Sequence, residues 1–309
     1  MSAEGGNRAV IAALVANLSI AATKFVAFAL TQSASMLAES VHSLADSGNQ
    51  LLLMLGGRRS RQPATEEHPF GYGRARFFYA FIVSVVLFTV GGMFALYEAW
   101  HKWQDPHPID SWRWVPLAVL GVAILLESYS LRTAVAESNR IRGSHRWVSF
   151  IRDAKAPELP VILLEDVGAL AGLMFALAGV VLSLVTGDGR WDAAGTGAIG
   201  LLLVTIAVVL AIETRSLLLG ESASAADVAA IRAALVGPGV TSVIHLRTQH
   251  LGPDELLVGA KIEVPAATTA AEVATAIDAA ELRVRGAVPI ARVIYLEPDL
   301  RRAADAPDA

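Results

Sequence analysis

The sequence predicts an α-helical membrane protein, six transmembrane helices followed by a small cytoplasmic α+β domain of αββαβ, ferredoxin-like order. Three observations carry that expectation. Between Ala9 and Leu219 the chain turns apolar repeatedly for runs of about 20 residues, the length at which a helix crosses roughly 30 Å of hydrocarbon. Over all 309 residues, 54% are hydrophobic and 17% charged, with a mean hydropathy of +0.50. Beyond Gly220 the apolar residues fall into the alternation and helical spacing of a soluble domain. The expected division is a transmembrane part over residues 1–219, a cytoplasmic domain over 220–300 and a disordered, Ala- and Asp-rich tail over 301–309.

The six expected spans are residues 9–30, 36–57, 76–100, 114–136, 158–185 and 194–218. Thr31, Gln32 and Ser33 form the short turn between the first two. Residues 1–8 show no cleavable signal pattern, so the first run is expected to remain as a span. A soluble bundle would carry polar stripes at helical spacing, and the last three spans carry almost none.

Lys and Arg set the orientation. Arg58, Arg59, Arg61, Arg74 and Arg76 follow span two, and Arg140, Arg142, Arg146, Arg152 and Lys155 follow span four. The opposite loops hold only Lys102, Arg113 and Arg190. Both termini are therefore expected in the cytoplasm, with a bacterial cytoplasmic membrane as the location. Trp100, Trp103, Trp112 and Trp114 gather at the other face, as an interfacial aromatic belt does. Residues 144–156 mix Trp147, Val148, Phe150 and Ile151 with basic groups, the pattern of a surface-lying or a connecting helix.

In the C-terminal domain Ser222 or Ser224 is placed to cap a helix that ends at Gly237-Pro238-Gly239. Residues 243–250 alternate, with Ile244, Leu246 and Thr248 on one face and His245, Arg247 and Gln249 on the other. Gly252-Pro253-Asp254 makes the turn into a second half-buried strand carrying Leu256, Val258, Ala260, Ile262 and Val264. Thr269 and Glu272 have the spacing of a capping box, and residues 292–296 form the last strand.

Ionisable groups at mid-bilayer cost several kcal/mol, roughly, and are functional candidates by default. Asn17 and Lys24 lie in span one, and Glu39, His42, Asp46 and Asn49 in span two. Glu98 and Glu213 lie near span ends, where headgroups solvate them. Glu127 is in span four, Glu165 and Asp166 in span five. Lys24 is expected to pair with a carboxylate; Glu127 is left to pair with Lys24 or to relay protons. His42 and Asp46, four residues apart, project from one helix face about 6 Å apart, the spacing of two ligands for one ion. The alternative for that pair is a satisfied polar contact between helices. Adjacent Glu165 and Asp166 diverge by about 100°.

The absence of cysteine excludes disulfides and thiolate sites, leaving His, Asp and Glu as strong metal ligands. Such a set suits Zn²⁺, and also Mn²⁺, Fe²⁺, Co²⁺ or Cd²⁺. These ligands lose protons to bind metal, so the two compete for one site, the elementary condition for metal/proton antiport.

Residues 36–50, Met-Leu-Ala-Glu-Ser-Val-His-Ser-Leu-Ala-Asp-Ser-Gly-Asn-Gln, resemble the second span of the cation diffusion facilitator family. Residues 68–76, His-Pro-Phe-Gly-Tyr-Gly-Arg-Ala-Arg, resemble that family's next loop. Residues 161–170, with Glu165 and Asp166, are similar to the branch that includes the mitochondrial zinc exporter. The resemblance implies a homodimer in the lipid bilayer that exports divalent metal, zinc first, against protons by alternating access. It implies metal ligands at His42, Asp46 and Asp166. It also expects a His or Asp at position 162, where this chain has Ile162; Glu165, water or Asn49 is left to complete the site. In the cytoplasmic domain, the family's metal-binding histidines fall on Ile244, Ala260 and Tyr295; His245 and His250, with Asp254 and Glu297 near, are left either as exposed surface residues of the strand or as part of a regulatory metal site. No prosthetic group, enzyme activity or nucleic-acid partner is expected. A membrane metalloenzyme would want His-Glu-x-x-His or a Gly-x-Ser nucleophile, and the spans contain neither. A non-transporting metal sensor or scaffold is the other alternative.

Overall fold

Apolar runs between charged loops become helices through the first two-thirds of the chain. The computed structural model describes residues 18–107, 109, 112–143 and 146–301. Residues 9–17 of the first expected span, Asn17 among them, and most of the expected tail lie outside the described residues.

The helices are α1 (Leu18–Thr31), α2 (Ala34–Arg59), α3 (Ala75–Val86), α4 (Phe94–Gln104), α5 (Trp114–Arg142), α6 (Trp147–Asp153), α7 (Glu158–Thr186) and α8 (Arg190–Leu219). A π-helical stretch, Leu87–Met93, joins α3 to α4 without a break, giving one helix over Ala75–Gln104. Among the described residues, four helices are long and apolar enough to cross a membrane: Ala75–Gln104, Trp114–Arg140, Glu158–Thr186 and Arg190–Leu219. These coincide with the last four expected spans. The described part of α1 is shorter, and α2, although 26 residues long, is diluted by Glu39, His42, Asp46 and Asn49.

The chain divides into two compact units. In the first, Leu87, Leu120, Leu173, Ile199, Leu203 and Leu210 make a close-packed interior. Its outside is equally apolar, with Leu125 72% and Val185 78% exposed, a surface costly in water and matched to lipid. Small residues bring helices together where α8 meets the helix of α3 and α4. A Cβ on Gly92 would lie 2.6 Å from Val204 Cγ2, and one on Gly200 would lie 2.9 Å from the Leu96 nitrogen, so only glycine permits the approach.

The start of α2 is fixed by a distant carboxylate. Buried Asp192 of α8 accepts from Ser33 Oγ at 2.8 Å and from the Ala34 amide at 2.7 Å, satisfying helix N-terminal donors as a local cap would. Lys102 Nζ donates to the Gln32 carbonyl at 3.1 Å just before it. The seating of this end sets which face of α2 turns inward.

The second unit holds α9 (Ala225–Leu235), β1 (Ser242–Gly252), β2 (Glu255–Glu263), α10 (Ala270–Ala287) and β3 (Ala291–Asp299), the αββαβ order expected. The sheet runs β1-β2-β3, antiparallel between β1 and β2 and parallel between β2 and β3. Ile231, Leu235, Leu256, Val258, Ile262 and Val284 form its core. Ser224, rather than Ser222, caps α9 by accepting from the Asp227 amide, and Thr269 with Glu272 forms the capping box of α10. Residues 58–77 pack with this unit: a Cβ on Gly73 would lie 2.7 Å from the Leu251 carbonyl oxygen, and Arg76 Nη1 lies 3.0 Å from Asp254 Oδ2.

Two expectations for β1 are corrected. A register shift between Val243 and His245 leaves Ile244 as the extra residue, so Val243 packs on the core beside Leu246. His250 is buried, its Nδ1 3.3 Å from the Gly252 carbonyl oxygen, because β1 runs on into the turn and takes the side chain with it.

Candidate metal centre

Steps of three and four residues place Glu39, His42, Asp46 and Asn49 on one stripe of α2. Glu39, His42 and Asn49 are almost fully buried. Lys24 of α1, the carboxylate partner foreseen for it now identified, donates through Nζ to Glu39 Oε2 at 2.9 Å and to Ser43 Oγ at 2.8 Å. His42 Nδ1 faces Asp46 Oδ1 at 3.4 Å. Beyond that approach, both ring nitrogens of His42, Asp46 Oδ1, Glu39 Oε1 and Asn49 Oδ1 are buried with no hydrogen-bond partner among the described residues. Each such group left unsatisfied costs about 1–3 kcal/mol, and five along one stripe mark a surface built for something other than packing.

On α7, Glu165 Oε1 accepts from Asn49 Nδ2 at 2.7 Å, and Asp166 Oδ2 accepts from Ser130 Oγ of α5 at 3.0 Å. Between these helices lies a cavity of about 230 Å³, with Ser43, Asp46, Glu127, Glu165 and Asp166 among its walls and Ile162 on the α7 side. The expected ligands are thus brought together unevenly. Asp46, Glu165 and Asp166 share the cavity, His42 stands against Asp46 without forming a wall, and Asn49 is engaged by Glu165. Among the described residues no three His, Asp or Glu side chains stand in a ready coordination set.

Sequence reasoning left Glu127 between pairing with Lys24 and relaying protons; Lys24 goes to Glu39 instead, and Glu127 stands on the cavity wall. The available signal was its standing as the ionisable residue in the middle of span four, three residues before Ser130.

The second unit offers no comparable cluster among the described residues. Asp254 lies in the Arg76 ion pair, and Glu297 and Asp299 hold Lys261 Nζ at 3.2 and 2.9 Å. Hydrogen bonds to Asp299 first, then Glu297, raise the Lys261 pKa above its ordinary value. The carboxylates that would accompany His245 already have cationic partners.

Residues 10–219 match the family model described as the cation efflux transmembrane domain. Over 264 residues the chain is 29% identical to the mitochondrial proton-coupled zinc antiporter SLC30A9 of Homo sapiens, covering 84% of this chain and 46% of that protein. It is 29% identical over 262 residues to metal tolerance protein C4 of Arabidopsis thaliana, covering 83% and 56% respectively. With the metal cation efflux system protein CzcD of Cupriavidus metallidurans the identity is 25% over 259 residues, covering 82% and 76%. The chain spans about half the length of the first two.

Proposed function

The chain belongs to the cation efflux family, the cation diffusion facilitators, and on that premise we propose that it carries a divalent metal ion, zinc foremost, out of the cytoplasm in exchange for protons. One observation carries the reading: His42 and Asp46 hold buried ligand atoms with no hydrogen-bond partner among the described residues, beside a cavity that Asp166 and Glu165 also line. A dication entering that cavity would give those atoms the partner they lack. Nitrogen and oxygen donors without sulfur fit zinc, and the name of the human relative specifies zinc and protons.

The chemistry follows from the donors. Carboxylate and imidazole must be deprotonated to bind a dication, so metal and protons exclude each other. Metal arriving from the cytoplasm displaces protons, and protons arriving from the other side displace metal. The inward proton gradient then drives metal outward by alternating access. The architecture that goes with this reading has six spans, with α1 and α2 joining the four apolar helices, and both termini in the cytoplasm. Residues 1–219 form the transmembrane part, and residues 220–300 form a ferredoxin-like cytoplasmic domain. The working unit is a homodimer in a bilayer, the bacterial cytoplasmic membrane being the proposed location.

The test is metal uptake into inverted vesicles or proteoliposomes under an imposed pH gradient, comparing Zn²⁺, Mn²⁺, Fe²⁺, Co²⁺ and Cd²⁺. Zinc flux that follows the gradient and disappears in Asp166→Asn supports antiport. Flux indifferent to the gradient, or none for any metal, overturns it and leaves a sensor or scaffold.

A further inference from the structure

Position 162 lies one helical turn before Asp166 and lines the same cavity, yet Ile162 offers only hydrocarbon. A metal bound by Asp166 of α7 and by His42 and Asp46 of α2 thus gains no donor from position 162, and the other α7 carboxylate at the cavity, Glu165, is already engaged through Oε1 by Asn49 Nδ2 at 2.7 Å. On the wall of the same cavity, α5 presents Glu127 and Ser130, three residues apart and so on one face. Ser130 Oγ already donates to Asp166 Oδ2 at 3.0 Å, which ties this face of α5 to the carboxylate in question. Lys24 directs its ammonium to Glu39 and Ser43, and Glu127 forms no hydrogen bond or salt bridge among the described residues.

We propose that Glu127 supplies the oxygen donor that Ile162 lacks, so that the transported ion is held by three helices, α2, α5 and α7. The assignment rests on the transport reading above and deepens it. Carboxylates gathered around a cavity do not by themselves make a metal site. The independent observation is His42, 1% exposed, with neither ring nitrogen hydrogen-bonded among the described residues and Nδ1 3.4 Å from Oδ1 of Asp46, a residue of the cavity wall. Asp46, which that imidazole faces, lines the cavity where an ion would arrive.

A ligand on α5 also has a consequence for coupling. Glu127 and Asp166 sit on helices packed against each other, so metal binding pulls on the α5–α7 pair as well as on α2. Release of the ion relaxes both contacts at once.

The test uses the full-length protein, titrated with Zn²⁺ in detergent and assayed for flux in proteoliposomes. Glu127→Gln should weaken zinc binding at least about tenfold, the low end of what disturbing a metal's ligand environment costs. Adding Ile162→His to Glu127→Gln should restore most of that affinity by returning a donor to α7. Ile162→His alone should tighten binding less than about threefold, since the position is already served; this arm removes nothing and stays informative if Glu127→Gln folds poorly. Unchanged zinc affinity in Glu127→Gln, whether or not turnover falls, overturns the assignment. Tightening of tenfold or more by Ile162→His alone does the same. In either case Asp166→Asn still abolishing binding would leave the transport reading standing, whereas absent zinc binding by the unmodified protein would remove both.

Discussion

Lys24 Nζ lies 2.9 Å from Glu39 Oε2, with the two side chains 2% and 0% exposed. A pair so enclosed is strong only while both members are present. Removing one leaves an uncompensated buried charge and costs about 3–5 kcal/mol, whereas removing both is often close to neutral. Lys24→Met should therefore lower the unfolding temperature sharply. The double variant Lys24→Met/Glu39→Gln should recover most of the loss, as read from thermal unfolding of the purified protein. Equal destabilisation by the single and double variants would show that the pair is not the reason Lys24 is buried.

Asp192 acts as a cap supplied from another helix. Its Oδ2 takes the Ala34 amide at 2.7 Å and its Oδ1 the Ser33 hydroxyl at 2.8 Å. Replacement by Ala should cost about 0.5–2 kcal/mol, the range for a lost N-cap. Because the end of α2 sets the direction of the His42 stripe, the variant should also bind zinc more weakly. Melting and zinc titration on one preparation check both, and an unchanged melting temperature would reject the cap.

How much could be read beforehand depended on sequence distance. The α2 stripe, the basic loops and the Thr269–Glu272 box are patterns within a few residues, and periodicity exposes them. The partner of Lys24 is 15 residues away and that of Asn49 is 116, and these depend on how helices pack. The meeting of Glu127 and Ile162 at one cavity is of the same kind. The extra residue in β1 defeated a strict two-residue alternation at Ile244, because one bulge reverses which neighbour faces the core. The π-helical stretch over Leu87–Met93 left no mark that hydropathy registers.

The acid limb of stability should carry a trace of Glu272. The Thr269 backbone N–H, then its hydroxyl, donate to the Glu272 carboxylate and hold its pKa below the ordinary value. A depressed folded-state pKa gives stabilisation that is present above the unfolded value, about 4.3, and fades as pH falls through the folded one. Glu272→Gln should therefore melt lower than the unmodified protein near neutrality and converge with it in acid. A difference that persists unchanged at low pH would assign the effect to helix propensity instead.

His42 separates metal binding from folding. Neither ring nitrogen has a hydrogen-bond partner among the described residues, so His42→Ala breaks no hydrogen bond among them in the metal-free protein. What it loses is the packing of a buried ring and its approach to Asp46 Oδ1 at 3.4 Å. Zinc at a hundredfold excess over its dissociation constant should stabilise the unmodified protein by about 2.7 kcal/mol, since it binds the folded state alone. In His42→Ala that increment should vanish while the metal-free transition stays cooperative. The increment should also shrink in the unmodified protein as pH is lowered, because protonated His and Asp release the ion. Paired melting curves with and without zinc, taken at several pH values, measure all of this. If His42→Ala gained the full zinc increment, the imidazole would not be a ligand, and its unpartnered nitrogens would need another explanation.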